Sequence, residues 1–185
     1  LQKSKKLFED LIGRKVIGYR APTFSIMRNT AWALDLLAEE GFEYDSSIFP
    51  IRHDRYGVPE SPIIPHRAVG PSGRSILELP PMVRPIGGMN LPVGGGGYFR
   101  LLPVKFISNT LNCFENDLQP TMIYLHPWEF DPAQSELPLR FVSRFRHRVN
   151  LHKTEAKMRI LLSQFRFSDV KSRLPITTGY TYHYR

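Results

Sequence analysis

The chain has 185 residues, 42% of them hydrophobic and 12% aromatic, and a formal net charge of +8. That composition excludes wholesale disorder, and no apolar run approaches the roughly 18 residues of a membrane span. A single cysteine, Cys113, excludes an internal disulfide and a multi-cysteine zinc site.

The opening "LQKSKKLFED" has lysines with no apolar stretch behind them, which is not a signal-peptide pattern. Leu7, Phe8, Leu11 and Ile12 repeat at helical spacing, so a helix is expected over Ser4–Ile12, stopped by Gly13. "KVIGYR" reads as a short strand. A second helix is expected from Asn29 or Thr30 to Glu40, with Ala33, Leu36, Leu37 and Glu40 along one side and Gly41 after its end. "FEYDSSIF" reads as a strand broken by Pro50. This helix–strand alternation with short links is the signature of an α/β fold with parallel strands.

Residues 50–74 read as one long, Pro-rich loop, and such loops are usually functional or mobile. "SILELP" reads as a strand. "PIGGMNLPVGGGGYFR" reads as irregular, with neither a Walker nor a dinucleotide-binding spacing. Its four-glycine run either brings backbone close to a ligand or makes a plain flexible loop. Pro103 opens a helix ending near Asn116, with Phe106, Ile107, Leu111 and Phe114 facing the core. Cys113 on that helix reads as core filler rather than a nucleophile. "PTMIYLHP" reads as a strand and a last helix spans Thr154–Phe165, with Met158, Leu161, Leu162 and Phe165 on one face. "ITTGYTYHYR" reads as an edge strand or tail. The segment Arg140–Arg159 holds much of the positive charge. It reads as a solvated face or, less favoured, as a surface for nucleic acid or another polyanion.

Ionisable residues recur just after the expected strands: Arg20, Asp45, His53-Asp54-Arg55, Arg100 and His126. Ligands of parallel α/β folds sit at the carboxyl ends of strands, because successive loops converge there. A histidine at one such end is a candidate acid or base, with a hydrogen-bonded structural role as the alternative. Glu129 and Asp131, just beyond, are expected to face solvent or cap the corner.

"GYRAPTFSI", "GFEYDSSIFPIRHDRYGVP", "LELPP", "GGGGYFRLLP" and "MIYLHPWEFDP", in this order, resemble the NodB-homology polysaccharide deacetylases of carbohydrate esterase family 4. The similarity is greatest to the branch found with exosortase-linked exopolysaccharide gene clusters. The resemblance implies a distorted (β/α) barrel and a hydrolase that uses a divalent metal, commonly zinc, to remove N-acetyl groups from an amino-sugar polymer. It implies that His126 is the general acid and that Arg20 fixes a catalytic aspartate. The family's aspartate that tunes the histidine has Asp54 as its best match, ahead of Asp45. The substrate-contacting set is then Gly96, Tyr98, Arg100, Tyr124, Leu125 and Trp128, with Tyr124 standing where many members carry the acetyl-pocket leucine.

The chemistry suits these residues. The departing amine must be protonated, which an imidazole titrating near neutrality does well. A bidentate arginine is a rigid way to hold a carboxylate.

Two earlier family motifs, a Thr-Phe-Asp-Asp type strand end and a His-x-x-x-His pair, are not in these residues. No two of the six histidines are three or four apart, so no zinc-ligand set is expected here. The expectation is the C-terminal two-thirds of a deacetylase domain over residues 1–170, with 171–185 as a strand or tail. An open barrel edge and exposed apolar surface should accompany it. By itself the chain is expected to be inactive. A non-catalytic carbohydrate-binding module and a basic nucleic-acid binder are the alternatives. The expected partner is an N-acetylated polysaccharide, without a membrane span. The cytoplasm is the expected location, with the periplasm or envelope if a leader precedes these residues.

Overall fold

The computed structural model describes residues 1–135, 138 and 140–184. Its helices and strands, in chain order, are α1 (Gln2–Ile12), β1 (Gly18–Tyr19), α2 (Trp32–Glu39), β2 (Tyr44–Asp45), β3 (His66–Val69), β4 (Ser75–Glu78), β5 (Val83–Ile86), β6 (Met89–Pro92), α3 (Gly96–Leu101), α4 (Val104–Asn116), α5 (Phe141–Arg148), α6 (Leu151–Gln164) and β7 (Thr181–His183). The chain divides into two compact units, Leu1–Pro80 with Thr177–Arg185, and Pro81–Ile176. Among the described residues no helix is long and apolar enough to cross a membrane.

The first unit is a mixed α/β layer. Its sheet runs in the order β1-β2-β4-β3-β7. β1, β2 and β4 are parallel, β3 is antiparallel to β4, and β7 is parallel to β3. The register sets Tyr19 beside Asp45, Asp45 beside Glu78, and Glu78 beside His66. No pairing closes this sheet among the described residues; β1 and β7 are its edges.

Leu34 and Leu37 of α2 join Ala21, Ile26, Phe42, Ile48, Ala68, Ile76 and Tyr184 in one apolar core. The buried residues of α2 are Leu34, Asp35 and Leu37, with Ala31 buried at its N-cap, and Leu36, expected on that side, is exposed. α1 forms as expected, and Gly13 ends it at φ 64, its N–H bonded to Glu9 O. No residue of α1 is buried, and Leu7, Phe8, Leu11 and Ile12 are 49% to 72% exposed.

Two stretches read as irregular contain strands. β3 lies inside the Pro-rich segment. β5 and β6 pair as an antiparallel hairpin, turned by Gly87 and Gly88 at φ 57 and 79, which suit glycine at both positions. "TMIYL" makes no ladder. It forms single parallel bridges, Pro81 to Met122 and Gly95 to Tyr124.

On α4 the buried residues are Ile107, Thr110, Leu111 and Phe114, and Phe106 is half-buried. On α6 they are Leu151, Thr154 and Leu161. Leu162, expected on that face, is exposed.

The first unit buries a polar row. His66 is fully buried, its Nε2 2.7 Å from Tyr184 Oη and its Nδ1 2.9 Å from Ile64 O. Burial holds its imidazole down at about 4. In the unfolded chain it titrates near 6.5, so between those values the unfolded chain binds the extra proton. Stability is therefore expected to fall as pH drops from about 6.5 to about 4, by on the order of 3 kcal/mol. Denaturant melts across that range should show the loss, and His66→Gln should remove it.

Asp45 and Glu78 are also fully buried. Asp45 Oδ1 accepts from Ser47 Oγ at 2.5 Å, and Glu78 Oε1 accepts from Ile48 N–H at 3.0 Å. Neither Asp45 Oδ2 nor Glu78 Oε2 finds a conventional donor. Asp45 and Glu78 are register partners on neighbouring strands, so the two carboxyls are buried close together. Burial first, and the Asp45 charge second, push Glu78 well above the usual carboxyl range, so the proton rests on Glu78. Its stabilisation is full below the ordinary carboxyl pKa and is lost as pH rises through the raised folded value. Glu78→Gln is expected to flatten that slope in denaturant melts carried upward from the ordinary carboxyl range.

Candidate functional site

The second unit builds a site around His126. Gly94 and Gly95 allow it locally. A Cβ on Gly95 would sit 2.2 Å from Tyr124 O, and one on Gly94 2.7 Å from Met122 O. Only glycine lets the two backbones come close enough for Tyr124 N–H to bond Gly94 O at 2.7 Å. Half of the glycine run thus approaches its own chain. Gly95→Ala is expected to destabilise the unit by about 1–3 kcal/mol or more and to displace the 122–126 segment, readable as shifted His126 resonances in NMR spectra.

Pro127 follows His126 and opens a one-turn 3₁₀ helix, Pro127–Phe130. Proline has no N–H to give and its φ is already set for that turn. The turn brings Glu129 back beneath His126. Glu129 Oε1 accepts the His126 backbone N–H at 3.0 Å and lies 3.1 Å from Nδ1. The Glu129 side chain is 0% exposed, while that of His126 is 56% exposed.

Beneath them lies Arg100 of α3, 2% exposed, with Nε 3.1 Å from Glu129 Oε2. This contact is an ion pair without hydrogen-bond alignment, since Oε2 has no hydrogen-bond donor. The rest of the guanidinium caps α5. It donates to His147 O at 2.6 Å, Arg146 O at 2.9 Å and Val149 O at 3.4 Å, carbonyls a helix end leaves without partners. Lys157 does the same for α3, donating to Phe99 O, Arg100 O and Leu102 O at 2.6–3.0 Å. Burial lowers the Arg100 and Lys157 pKa values from their ordinary ones.

Four rings line up across the site. Tyr124 meets His126 edge-on at 6.2 Å, His126 stacks on Trp128 at 5.8 Å, and Trp128 stacks on His147 at 4.4 Å and 6°. The Arg100 guanidinium lies 5.1 Å from the Trp128 ring centre. The imidazole is thus held by a stack, an edge contact and a carboxylate. Nδ1–H donating to Glu129 leaves Nε2 as the nitrogen open to a ligand.

Of the residues expected at the site, the second unit gathers His126, Tyr124, Trp128 and Arg100. Arg100, expected as a substrate contact, is buried and bonded to Glu129 and to the carbonyls at the end of α5. Trp128 is half-buried and is engaged by His147 and Arg100. Leu125 is half-buried, Tyr98 is exposed, and Gly96, at φ 58, begins α3. Of its two expected roles Glu129 takes the capping one: it accepts the His126 backbone N–H and does not face solvent. Asp131 is exposed, bonding Ala133 N–H at 3.0 Å.

Arg20 and Asp54 belong to the first unit. Arg20 donates to Ser46 O at 2.9 Å and Ser46 Oγ at 2.6 Å, and its charge acts on Glu78. Asp54 is 77% exposed and sits 2.9 Å from His53 Nδ1. Its observed partner is therefore His53. The carboxylate that holds His126 is Glu129.

The divalent metal that the resemblance implies has no fitting site here. Among the described residues no group of three or more His, Cys, Asp or Glu stands close enough to hold an ion. The buried Asp45–Glu78 pair supplies only two carboxyls.

A protein-family profile described as "Domain of unknown function (DUF3473)" matches residues 46–174, more than half of the chain. No curated protein and no solved structure matches the sequence significantly. The matched span includes Asp45's neighbours Ser46 and Ser47 and the whole Arg100–Glu129–His126 array. The chain belongs to the DUF3473 family, a domain of unknown function.

Proposed function

We propose that this chain carries the proton-donating half of a hydrolase that removes N-acetyl groups from an amino-sugar polymer. The observation that supports it is the exposed His126 imidazole seated on a buried Glu129–Arg100 pair. An amide nitrogen leaves only once protonated, so a positioned acid is required. Glu129 fixes the ring orientation and tautomer, and Arg100 holds Glu129 in place. In the doubly protonated ring the second proton sits on Nε2, which gives it to the departing nitrogen and leaves a neutral imidazole protonated on Nδ1.

The substrate class comes from the resemblance of five ordered motifs to the NodB-homology deacetylases. The parallel run β1-β2-β4 supports the finer reading of the fold as a distorted (β/α) barrel. The described residues offer no metal set, so the reading gives them acid and positioning roles only.

The test is direct. The chain is expected to bind N-acetylglucosamine oligomers, with shifts at His126, and to release no acetate with or without added zinc. Acetate release dependent on added metal would contradict the half-site assignment. Absence of any glycan binding would contradict the substrate class. If the encoding reading frame releases acetate equally with His126→Ala, the site is a binding module instead.

A further inference from the structure

We propose that His147 is a positioning residue for His126 and acts on it through Trp128. This rests on the proton-donor reading above and adds a residue of α5 to it. The His126 side chain is 56% exposed, so few protein atoms hold the imidazole. The contact of Nδ1 with Glu129 Oε1 at 3.1 Å fixes one corner of the ring. The ring can still tilt about that corner, and every tilt swings Nε2 on its far side. A misplacement of about 1 Å can cost a reaction about 10²-fold in rate.

The second restraint comes from flat faces. His126 faces Trp128 at 5.8 Å and 28°, and His147 lies on Trp128 at 4.4 Å and 6°. The closer and more parallel stack is the one with His147, so His147 does most to set the plane of the indole. The indole in turn limits the tilt of His126, and Tyr124 limits it edge-on at 6.2 Å.

His147 can serve because its own backbone is fixed. Its carbonyl accepts from Arg100 Nη1 at 2.6 Å, and Arg146 O accepts from Nη2 at 2.9 Å. Nε of the same guanidinium lies 3.1 Å from Glu129 Oε2. One buried arginine therefore anchors both the carboxylate at Nδ1 and the helix end that carries the stacking ring. The stack needs an aromatic face and no proton from His147. Phenylalanine should therefore replace it.

The experiment reads kcat and KM for acetate release in the encoding reading frame, and the His126 ring-proton NMR signals in this chain. His147→Ala is expected to lower kcat about 10- to 100-fold with KM nearly unchanged. His147→Gln, similar in size but without an aromatic face, should do the same. His147→Phe should recover most of the lost rate, since a phenyl face also stacks on indole. In a Trp128→Ala background, His147→Ala should cost little more, because the ring it acts through is gone. The Trp128 ring current should displace the His126 signals from their unfolded-chain positions. That displacement should shrink with His147→Gln and return with His147→Phe. Circular dichroism checks folding, and the Gln and Phe pair carries the comparison if the Ala variant fails to fold. Unaltered kcat in the Gln variant overturns the proposal and leaves the proton-donor reading intact. A loss with Phe as deep as with Gln overturns it and assigns the role to an imidazole nitrogen. A raised KM at unchanged kcat makes His147 a binding residue and overturns it. Full, independent losses in the Trp128→Ala background overturn the route through Trp128. Acetate release that is absent, or indifferent to His126→Ala, overturns the proton-donor reading itself, and this proposal with it.

Discussion

Glu129→Ala is expected to destabilise the second unit by about 3–5 kcal/mol. The replacement removes the partner of an arginine that is 2% exposed. A buried charge without its counter-ion costs far more than an exposed one, because water cannot replace the lost partner. The same change frees the His126 backbone N–H and the Nδ1 nitrogen. Glu129→Gln keeps the shape and an acceptor and loses only the charge, so it should cost less. Urea unfolding followed by fluorescence of Trp128, which packs over Arg100, reads both. Equal, small effects from the two variants would show that the ion pair is not what holds the site.

His126→Ala, assayed in the encoding reading frame, is expected to lower kcat for acetate release by about 10²- to 10⁴-fold, the usual share of a positioned acid. KM should change little, since the proton moves only in the transition state. Glu129→Gln should give a smaller loss of the same kind. It acts through the orientation of the ring and touches no substrate. A rise in KM with kcat unchanged would make His126 a binding residue.

The helices were legible where local signals coincide. Pro103, Gly13 and Gly41 mark helix ends within a residue of where they fall. Spacing in α6 places the helix but misses its first turn, because Leu151 and Thr154 bury a face that the basic residues around them conceal. The β5–β6 hairpin had a usable signal in the Gly87-Gly88 pair. Arg84, Pro85 and Asn90 hid it by breaking the apolar alternation. β3 has only four residues, lies after Pro65 and owes its place to pairing with β4 and β7.

The site was half legible. His126 stands out beside Pro127, and the Glu three residues on matches a capping-box spacing that identifies Glu129. Arg100 had no such local mark. Its burial depends on carbonyls 46 to 49 positions away on and after α5. Asp54 looked better than Asp45 from its neighbours in sequence, yet the strand register is what buries Asp45 against Glu78.

Long-range ¹H–¹⁵N NMR of His126, recorded while an N-acetylglucosamine oligomer is titrated in, tests the central claim most directly. The neutral ring should be protonated on Nδ1, toward Glu129 Oε1 at 3.1 Å, and the Nε2 signal should move as the oligomer binds. A neutral ring that carries its single proton on Nε2 instead of Nδ1, or an Nε2 signal unmoved at saturation, would contradict the assignment of His126 as the proton donor.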